Sequence, residues 1–238
     1  MQRISPQWDA SPPIGKHKPE SIPSQVTMLQ KKKIPKSAVS RLSLYLREMP
    51  KLEKEGKDKV SSVELGDRTG LTDTQVRKDL SYFGQLGISG AGYDIPKLKD
   101  FLRQLFGKDN IWPIVLVGVG NIGSALLRYP GFKNQGFVIK EAFDKSEKKI
   151  GKQYGDLVVK DIKDIGEIRS DGAVKIAIIA VPADSAQGVS DILVKCGVRC
   201  ILNFAPVVLK VNNGITVKNI DLSNELENFS FILSSSNE

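Results

Sequence analysis

Apolar side chains recur along this chain with two different rhythms. From Pro35 they stand three or four residues apart, at Val39, Leu42, Leu46 and Met49, which predicts an amphipathic helix ended or bent at Pro50. Ser61 and Glu64 then form a capping box opening a short helix that stops near Gly70. Thr72 and Gln75 repeat the device, with Leu71 placed to staple onto Val76. In this next helix Val76, Leu80 and Phe83 share one face, and Arg77, Lys78 and Ser81 share another. Gly84, Gly87, Gly90 and Gly92 fall within nine residues and close on Tyr93, the spacing of a glycine-rich hairpin. A further helix opens at Asp94 and Pro96, carries Leu98, Phe101, Leu102, Leu105 and Phe106 on its apolar face, and stops at Gly107. It reads as a bridge between domains.

Beyond Trp112 the rhythm changes. Ile114 to Val117 is a continuous apolar run, the mark of a strand buried on both faces as in a parallel sheet. It ends in Gly118-Val119-Gly120-Asn121-Ile122-Gly123, after which Ser124 to Leu127 lead into a helix. A second strand, Phe137 to Phe143, ends in Asp144; a polar loop from Lys145 to Gly155 and an irregular stretch follow. Val174 to Val181 is the next strand, ending at Pro182. A helix from Ala183 to Cys196 and a strand from Val198 to Phe204 come after it. Val207 to Val211 and Ile215 to Ile220, around Asn212-Asn213-Gly214, predict a closing hairpin. A last helix carries Leu222, Leu226, Phe229 and Leu233 as an apolar stripe.

Two short helices joined through Gly70, the second apolar behind and basic in front, suggest a helix-turn-helix with the glycine hairpin as its wing. Charge sharpens this: the chain carries a net +8, and most of the excess lies between residues 31 and 93. That basic face points to nucleic acid; a solvated charged face is the plainer alternative. Residues 1–33 hold five prolines, the only histidine (His17) and the run Lys31-Lys32-Lys33, and read as a flexible arm. At 238 residues the chain has room for two domains. No apolar run approaches the ~20 residues a bilayer span needs, so a soluble cytoplasmic protein with no membrane partner is expected. Cys196 and Cys200 read as packing residues rather than a metal or redox pair.

The glycine turn carries the chemistry. Gly118 permits the tight turn, Gly120 lets backbone approach a pyrophosphate, and Gly123 lets helix and strand pack closely. Asp144 lies about 20 residues on, where an acid accepts from the ribose 2′-hydroxyl of NAD and repels the 2′-phosphate of NADP. Lys145 beside it blunts that preference. The alternative is a Rossmann-like sheet with no bound dinucleotide. In such sheets ligands bind beyond the carboxyl ends of strands, so Val181-Pro182 and Asn203-Phe204-Ala205-Pro206 are candidate cleft walls. An NAD-dependent oxidoreductase is the rival reading, but it needs a proton donor. His17 lies in the arm, and the Tyr93…Lys97 and Tyr129…Lys133 spacings each enclose a proline. No catalytic residue and no metal site is assigned. A nucleotide-binding regulatory subunit without DNA binding is the third reading.

Taken together, Ala38-Val39-Ser40-Arg41-Leu42, Gln75-Val76-Arg77-Lys78-Asp79-Leu80-Ser81-Tyr82-Phe83-Gly84, Tyr129-Pro130-Gly131-Phe132 and Ile201-Leu202-Asn203-Phe204-Ala205-Pro206 resemble the redox-sensing transcriptional repressor family Rex of bacteria, over about residues 34 to 233. Beyond the arm, 1–33, which has no counterpart in the family, the resemblance implies an α/β chain: winged helix-turn-helix 34–95, Rossmann-like doubly wound sheet 96–220, and a C-terminal helix and tail, 221–238, exchanged in a homodimer. It implies binding of NADH and NAD+, repression at a palindromic double-stranded DNA operator, and release by NADH. The implied cofactor positions are Gly118, Val119, Gly120, Asn121, Ile122, Gly123, Asp144, Lys145, Val181, Pro182, Asn203, Phe204, Ala205 and Pro206. The implied DNA positions are Arg41, Gln75, Arg77, Lys78, Ser81, Tyr82, Ser89 and Tyr93. Arg47, Tyr129 and Asp221 are the implied switch. The chain departs from the family where Ser89 replaces a frequent wing Arg, where Asn121 replaces an Arg near the pyrophosphate, and where Leu222 replaces an aromatic.

Overall fold

A computed structural model describes residues 34–88, 90–170 and 174–235. The expected arm (with His17) and the wing residue Ser89 lie outside them. The chain divides into two compact units, the first ending at Phe106 and the second starting at Gly107.

In the first unit, helix α1 (Lys36–Lys54) buries Ala38, Leu42, Tyr45, Met49 and Leu52. The buried face is therefore offset from the one the spacing suggested: Val39 is exposed and Leu46 half-buried, because Tyr45 turns inward to a polar partner. Pro50 neither ends nor splits α1, which runs on to Lys54 with the proline on its exposed side. Strand β1 (Lys59–Val60), α2 (Ser62–Thr69) and α3 (Asp73–Ser81) follow. Ser61 and Thr72 cap α2 and α3 as expected, accepting from the Glu64 and Gln75 amides at 3.0 and 3.1 Å. The Glu64 and Gln75 side chains go elsewhere, to Lys57 and Asp79, so each cap is one-sided. Gly70 closes α2 in the left-handed conformation, turning the chain sharply enough to seat α3. Strand β2 (Tyr93–Asp94) pairs antiparallel with β1, and an Ile88–Gly92 bridge folds the glycine segment back as a small wing. Helix α4 (Ile95–Leu105) buries Ile95, Leu98 and Leu102 in the same core as Leu42, Met49, Leu65, Val76 and Leu80. The sequence-based boundary at 95/96 and the reading of α4 as a bridge are thus corrected: its apolar face completes the first unit.

The second unit is built on a seven-stranded sheet in the order β5-β6-β4-β3-β7-β8-β9. Its strands are β3 (Trp112–Val117), β4 (Phe137–Asp144), β5 (Gln153–Tyr154), β6 (Leu157–Asp161), β7 (Ile176–Ile179), β8 (Cys200–Asn203) and β9 (Thr216–Asn219). All neighbours are parallel except β5, which pairs antiparallel with β6 at one edge. Val115 and Val117 face one layer, packed with Ala186, Val189 and Leu193 of α7 (Ala183–Lys195). Ile114 and Leu116 face the other, with Leu126 and Leu127 of α5 (Asn121–Leu127) and Phe132 of α6 (Gly131–Asn134). Burial on both faces is the physical reason for the unbroken apolar run.

Two expectations are corrected here. The expected polar loop holds β5 near its end, and the stretch read as irregular holds β6 and a 3-10 segment, Ile162–Ser170. The closing hairpin does not form: residues 207–211 carry no strand, and β9 instead lies parallel to β8. Leu209 is drawn into the core, which takes this stretch away from any pairing with β9. Helix α8 (Leu222–Ser235) closes the description with no buried residue. Its Leu222, Leu226, Phe229 and Leu233 are 65, 66, 58 and 69% exposed.

Candidate functional site

Successive strands leave β3 in one direction through β4 and β6, and in the other through β7, β8 and β9. The strand order reverses between β3 and β7, and a crevice opens there beyond the carboxyl ends. A cavity of about 430 Å3 occupies this place, lined by Gly118, Gly120, Asp144, Lys145, Val181 and Pro182 among others. Gly118 turns with φ +94°, and a Cβ on it would fall 2.4 Å from the Ala180 carbonyl oxygen. A Cβ on Gly123 would fall 1.9 Å from the Gly118 oxygen, so α5 reaches the end of β3 only because residue 123 has none. Gly120 is different: the nearest atom to a Cβ there is Lys149 Nζ, at 4.0 Å. Its open side lies on the cavity, as backbone must if it is to approach a pyrophosphate.

Asp144 ends β4 and is almost fully buried. Its carboxylate accepts from the Val119 amide at 2.7 Å and from the Ser146 amide at 2.9 Å. The acid therefore clamps the glycine turn to the end of β4 and still lines the cavity, with further acceptor capacity on each oxygen. Lys149 folds back so that its ammonium donates to the Val119 carbonyl. Residue 119 is thus gripped on both polar groups. Lys149, Ser146, Ile162 and Ser185 line the same cavity and were missed from sequence. Nothing in the run Lys145-Ser146-Glu147-Lys148-Lys149 says which lysine turns inward; the fold of the loop decides it.

Several expected cofactor positions are not on the cavity lining. Asn121 and Ile122 are exposed on α5. Asn203 is buried, and its side chain donates to the Ala205 and Val207 carbonyls and to Asn219 Oδ1, bracing the loop after β8. Phe204, Ala205 and Pro206 belong to that braced loop, with Ala205 in the core and Pro206 exposed.

In the first unit, Arg77, Lys78 and Ser81 stand exposed on α3 as their spacing predicts. The Arg77 guanidinium is held by Asp73, by Ser62 Oγ at 3.0 Å and by Thr74 Oγ1 at 3.2 Å, tying the start of α2 to α3. A groove of about 520 Å3 runs between α3 and the glycine wing, lined by Ser62, Arg77, Ser81, Gly87, Gly90 and Tyr93. Tyr82 packs against the core.

Arg41 and Gln75, both half-buried, meet at one buried acid. The Arg41 guanidinium donates to Asp79 through Nε at 2.6 Å and Nη2 at 2.7 Å. The same buried carboxylate accepts from Tyr45 Oη at 2.9 Å and Gln75 Nε2 at 2.8 Å. Burial alone would raise the Asp79 carboxyl, but Arg41, Tyr45 and Gln75 outweigh it and hold it below the usual carboxylate range. Burial and then the neighbouring Asp79 drive the Tyr45 hydroxyl upward. Four donors on one acid fix α3 against α1. The sequence shows an Arg and an Asp 38 residues apart, with no sign that they meet.

Of the switch candidates, Arg47 is exposed on α1 and Tyr129 is exposed after α5, stacked edge-on against Phe132 at 5.2 Å. Asp221 caps α8, accepting from the Ser223 and Asn224 amides at 3.0 and 3.2 Å.

A family model described as a putative DNA-binding protein N-terminus matches residues 33–81, and one described as a CoA binding domain matches residues 109–207. The redox-sensing transcriptional repressor Rex of Chloroflexus aggregans is 44% identical over 199 residues, 84% of this chain and 94% of that protein. The protein of the same name from Carboxydothermus hydrogenoformans is 45% identical over 199 residues, 84% and 96% of the two chains. Among solved structures, RSP in complex with β-NAD+ and operator DNA superposes with a TM-score of 0.81 at 32% identity, covering 86% of this chain and 94% of that one. RSP in complex with β-NADH gives 0.75 at 31% identity, covering 86% and 96%. No helix among the described residues is long and apolar enough to cross a membrane.

Proposed function

This chain belongs to the Rex family of redox-sensing transcriptional repressors, and from that membership we infer a division of labour between its two units. It is a DNA-binding repressor, not an enzyme, that senses the NADH/NAD+ ratio. The observation that carries this is the presence, in one chain, of a dinucleotide cleft at a strand-order reversal and a helix-turn-helix with an exposed basic face. Gly120 gives the pyrophosphate room, Gly118 and Gly123 let the turn close beneath it, and Asp144 and Lys149 hold the turn in shape. Val181 and Pro182 supply an apolar wall. The bound dinucleotide brings a nicotinamide that is cationic when oxidised and neutral when reduced, and it is read rather than consumed. On the other unit Arg77, Lys78 and Ser81 meet base edges or flanking phosphates of the operator, with Tyr93 at the wing. Asp79, with Arg41, Tyr45 and Gln75 around it, sets the angle at which α3 is presented.

A palindromic operator is matched by a two-fold homodimer, and the uncovered stripe of α8 supports exchange of that helix between subunits. NADH releases DNA because it binds the DNA-free arrangement more tightly; equal affinity for both would shift nothing. Arg47, Tyr129 and Asp221 are the residues assigned to this coupling, and the protein acts in the cytoplasm. A mobility-shift titration of operator duplex with and without NADH tests the whole reading. Binding abolished by NADH and preserved in NAD+ is expected. Indifference to duplex DNA would leave only a nucleotide-binding subunit, and DNA binding unmoved by NADH would break the link between the units.

A further inference from the structure

The turn that leads into β9 holds a reactive pair used by neither the dinucleotide cleft nor the basic face of α3. Asn213 and Gly214 are the chain's one Asn-Gly pair, and both are exposed. They form the middle of a tight turn closed by the Ile215 amide, which donates to the Asn212 carbonyl at 3.3 Å. Gly214 has φ +92°, as the third residue of a type II turn requires. The N–H of that third residue takes no part in the closing bond. Among the described residues no protein group accepts from the Gly214 amide, and none bonds the Asn213 side chain. Every other described asparagine is followed by a residue with a Cβ, which crowds the approach of the next backbone nitrogen to the side-chain carbonyl carbon. Gly214 imposes no such crowding. The nearest atom to a Cβ placed on it would be Arg199 Nη1, at 4.0 Å, so a guanidinium stands beside the same peptide. Arg199 is fixed there by its own backbone, whose carbonyl accepts from the Thr216 amide at 2.8 Å.

We propose that Asn213 is a site of spontaneous covalent modification, deamidating through a cyclic imide, with Arg199 as the positioned cation that speeds it. The Gly214 amide gives its proton to hydroxide, and its nitrogen attacks Asn213 Cγ. The new N–Cγ bond closes a succinimide ring, the Cγ–Nδ2 bond breaks, and ammonia leaves with a proton taken from water. Water then opens the ring at either carbonyl, giving aspartate or isoaspartate at 213. The net change is amide plus water to carboxylate plus ammonium, with nothing oxidised or reduced. Negative charge develops on the Gly214 nitrogen and then on the Asn213 side-chain oxygen, and a neighbouring guanidinium favours both. Isoaspartate lengthens the main chain by a methylene just ahead of β9, the edge strand whose Asn219 accepts from Asn203.

Peptide mass spectrometry of the full chain, incubated folded at neutral and at alkaline pH, reads the reaction as conversion of the amide at 213 to an acid. Labelling by an isoaspartyl methyltransferase reads the isoaspartate share. The expected result is modification at Asn213 ahead of every other asparagine, faster in proportion to hydroxide, and lost in Asn213→Gln. Arg199→Gln is expected to slow the reaction about fivefold at low salt, the worth of one charge at close range in water, and Arg199→Lys to restore most of the rate. In urea, wild type and Arg199→Gln should react at one rate, because only the fold brings residue 199 beside residue 214. A folded chain that stays intact at 213 while the urea-unfolded chain reacts overturns the inference, because the turn then protects the pair. Equal modification at Asn212 or Asn110 overturns it too. A folded Arg199→Gln variant that reacts as fast as wild type overturns the part given to Arg199.

Discussion

At the scale of single residues, Asp79 is the most consequential side chain of the first unit. A buried acid with four donors is stabilised only as a set, and removing one member leaves charge or polarity stranded. Arg41→Ala is expected to cost about 3–5 kcal/mol in urea unfolding, because it leaves the Asp79 carboxylate buried without its cation. The same acid sets a pH dependence. Its carboxyl is depressed in the folded chain, so its contribution is full above the unfolded value of about 3.9 and is lost as pH falls through the lower folded value. Unfolding followed from pH 7 downward should show this loss, and Asp79→Asn, less stable at pH 7, should lack that part of the acid dependence. In the second unit Asp144→Ala removes both the proposed ribose acceptor and the clamp on Val119. NADH affinity is expected to fall by about tenfold or more, while Gly120→Val fills the open flank and abolishes binding. Fluorescence titration with NADH checks both, and unchanged affinity in the pair would show the dinucleotide to sit elsewhere.

At the scale of elements, α3 and α8 are the helices assigned to DNA and to the dimer, and they were legible to different degrees. The face of α3 bearing Arg77, Lys78 and Ser81 follows directly from helical spacing. Losing a base-reading Arg typically costs ~1–3 kcal/mol and relaxes specificity, whereas losing a phosphate contact weakens all sequences alike. Arg77→Ala and Lys78→Ala should divide along that line in mobility shifts on operator and scrambled duplex. Wild-type affinity in both would remove α3 from the interface. The stripe on α8 was also plain in the sequence, but spacing alone says only that the stripe wants cover. Truncation before Leu222 is expected to yield monomer or aggregate by size-exclusion chromatography. A stable dimer with a full NADH response would rule out exchange of this helix. Helix α4 taught the reverse lesson. Its sequence is that of an ordinary amphipathic helix, and only the positions of Leu98 and Leu102 in the core assign it to the first unit.

At the scale of the whole molecule the question is how two units answer one another. Breaking the coupling should leave each binding site intact, since coupling is a free energy between sites rather than a property of either. Asp221→Ala is expected to retain NADH affinity and operator affinity while reducing the ratio of DNA affinities measured without and with NADH. As the cap of α8, Asp221 also supports that helix, so the dimer should be verified alongside. An unchanged ratio would remove Asp221 from the mechanism.

What the amino-acid sequence determined by itself was whatever depends on near neighbours along the chain. The glycine turn with its strand and helix, the caps at Ser61 and Thr72, and the basic face of α3 are all of this kind, because backbone sterics and helical period act over a few residues. The tertiary structure decided what depends on residues brought together from afar. It placed β9 parallel to β8 where a local Asn-Asn-Gly signal favoured a hairpin, because Leu209 found the core and Thr216–Asn219 found an open sheet edge. It paired Arg41 with Asp79 across 38 residues, and it drew Lys149 back onto Val119. Burial and charge pairing over such separations leave no periodic trace in the chain, and they act only once the core has formed.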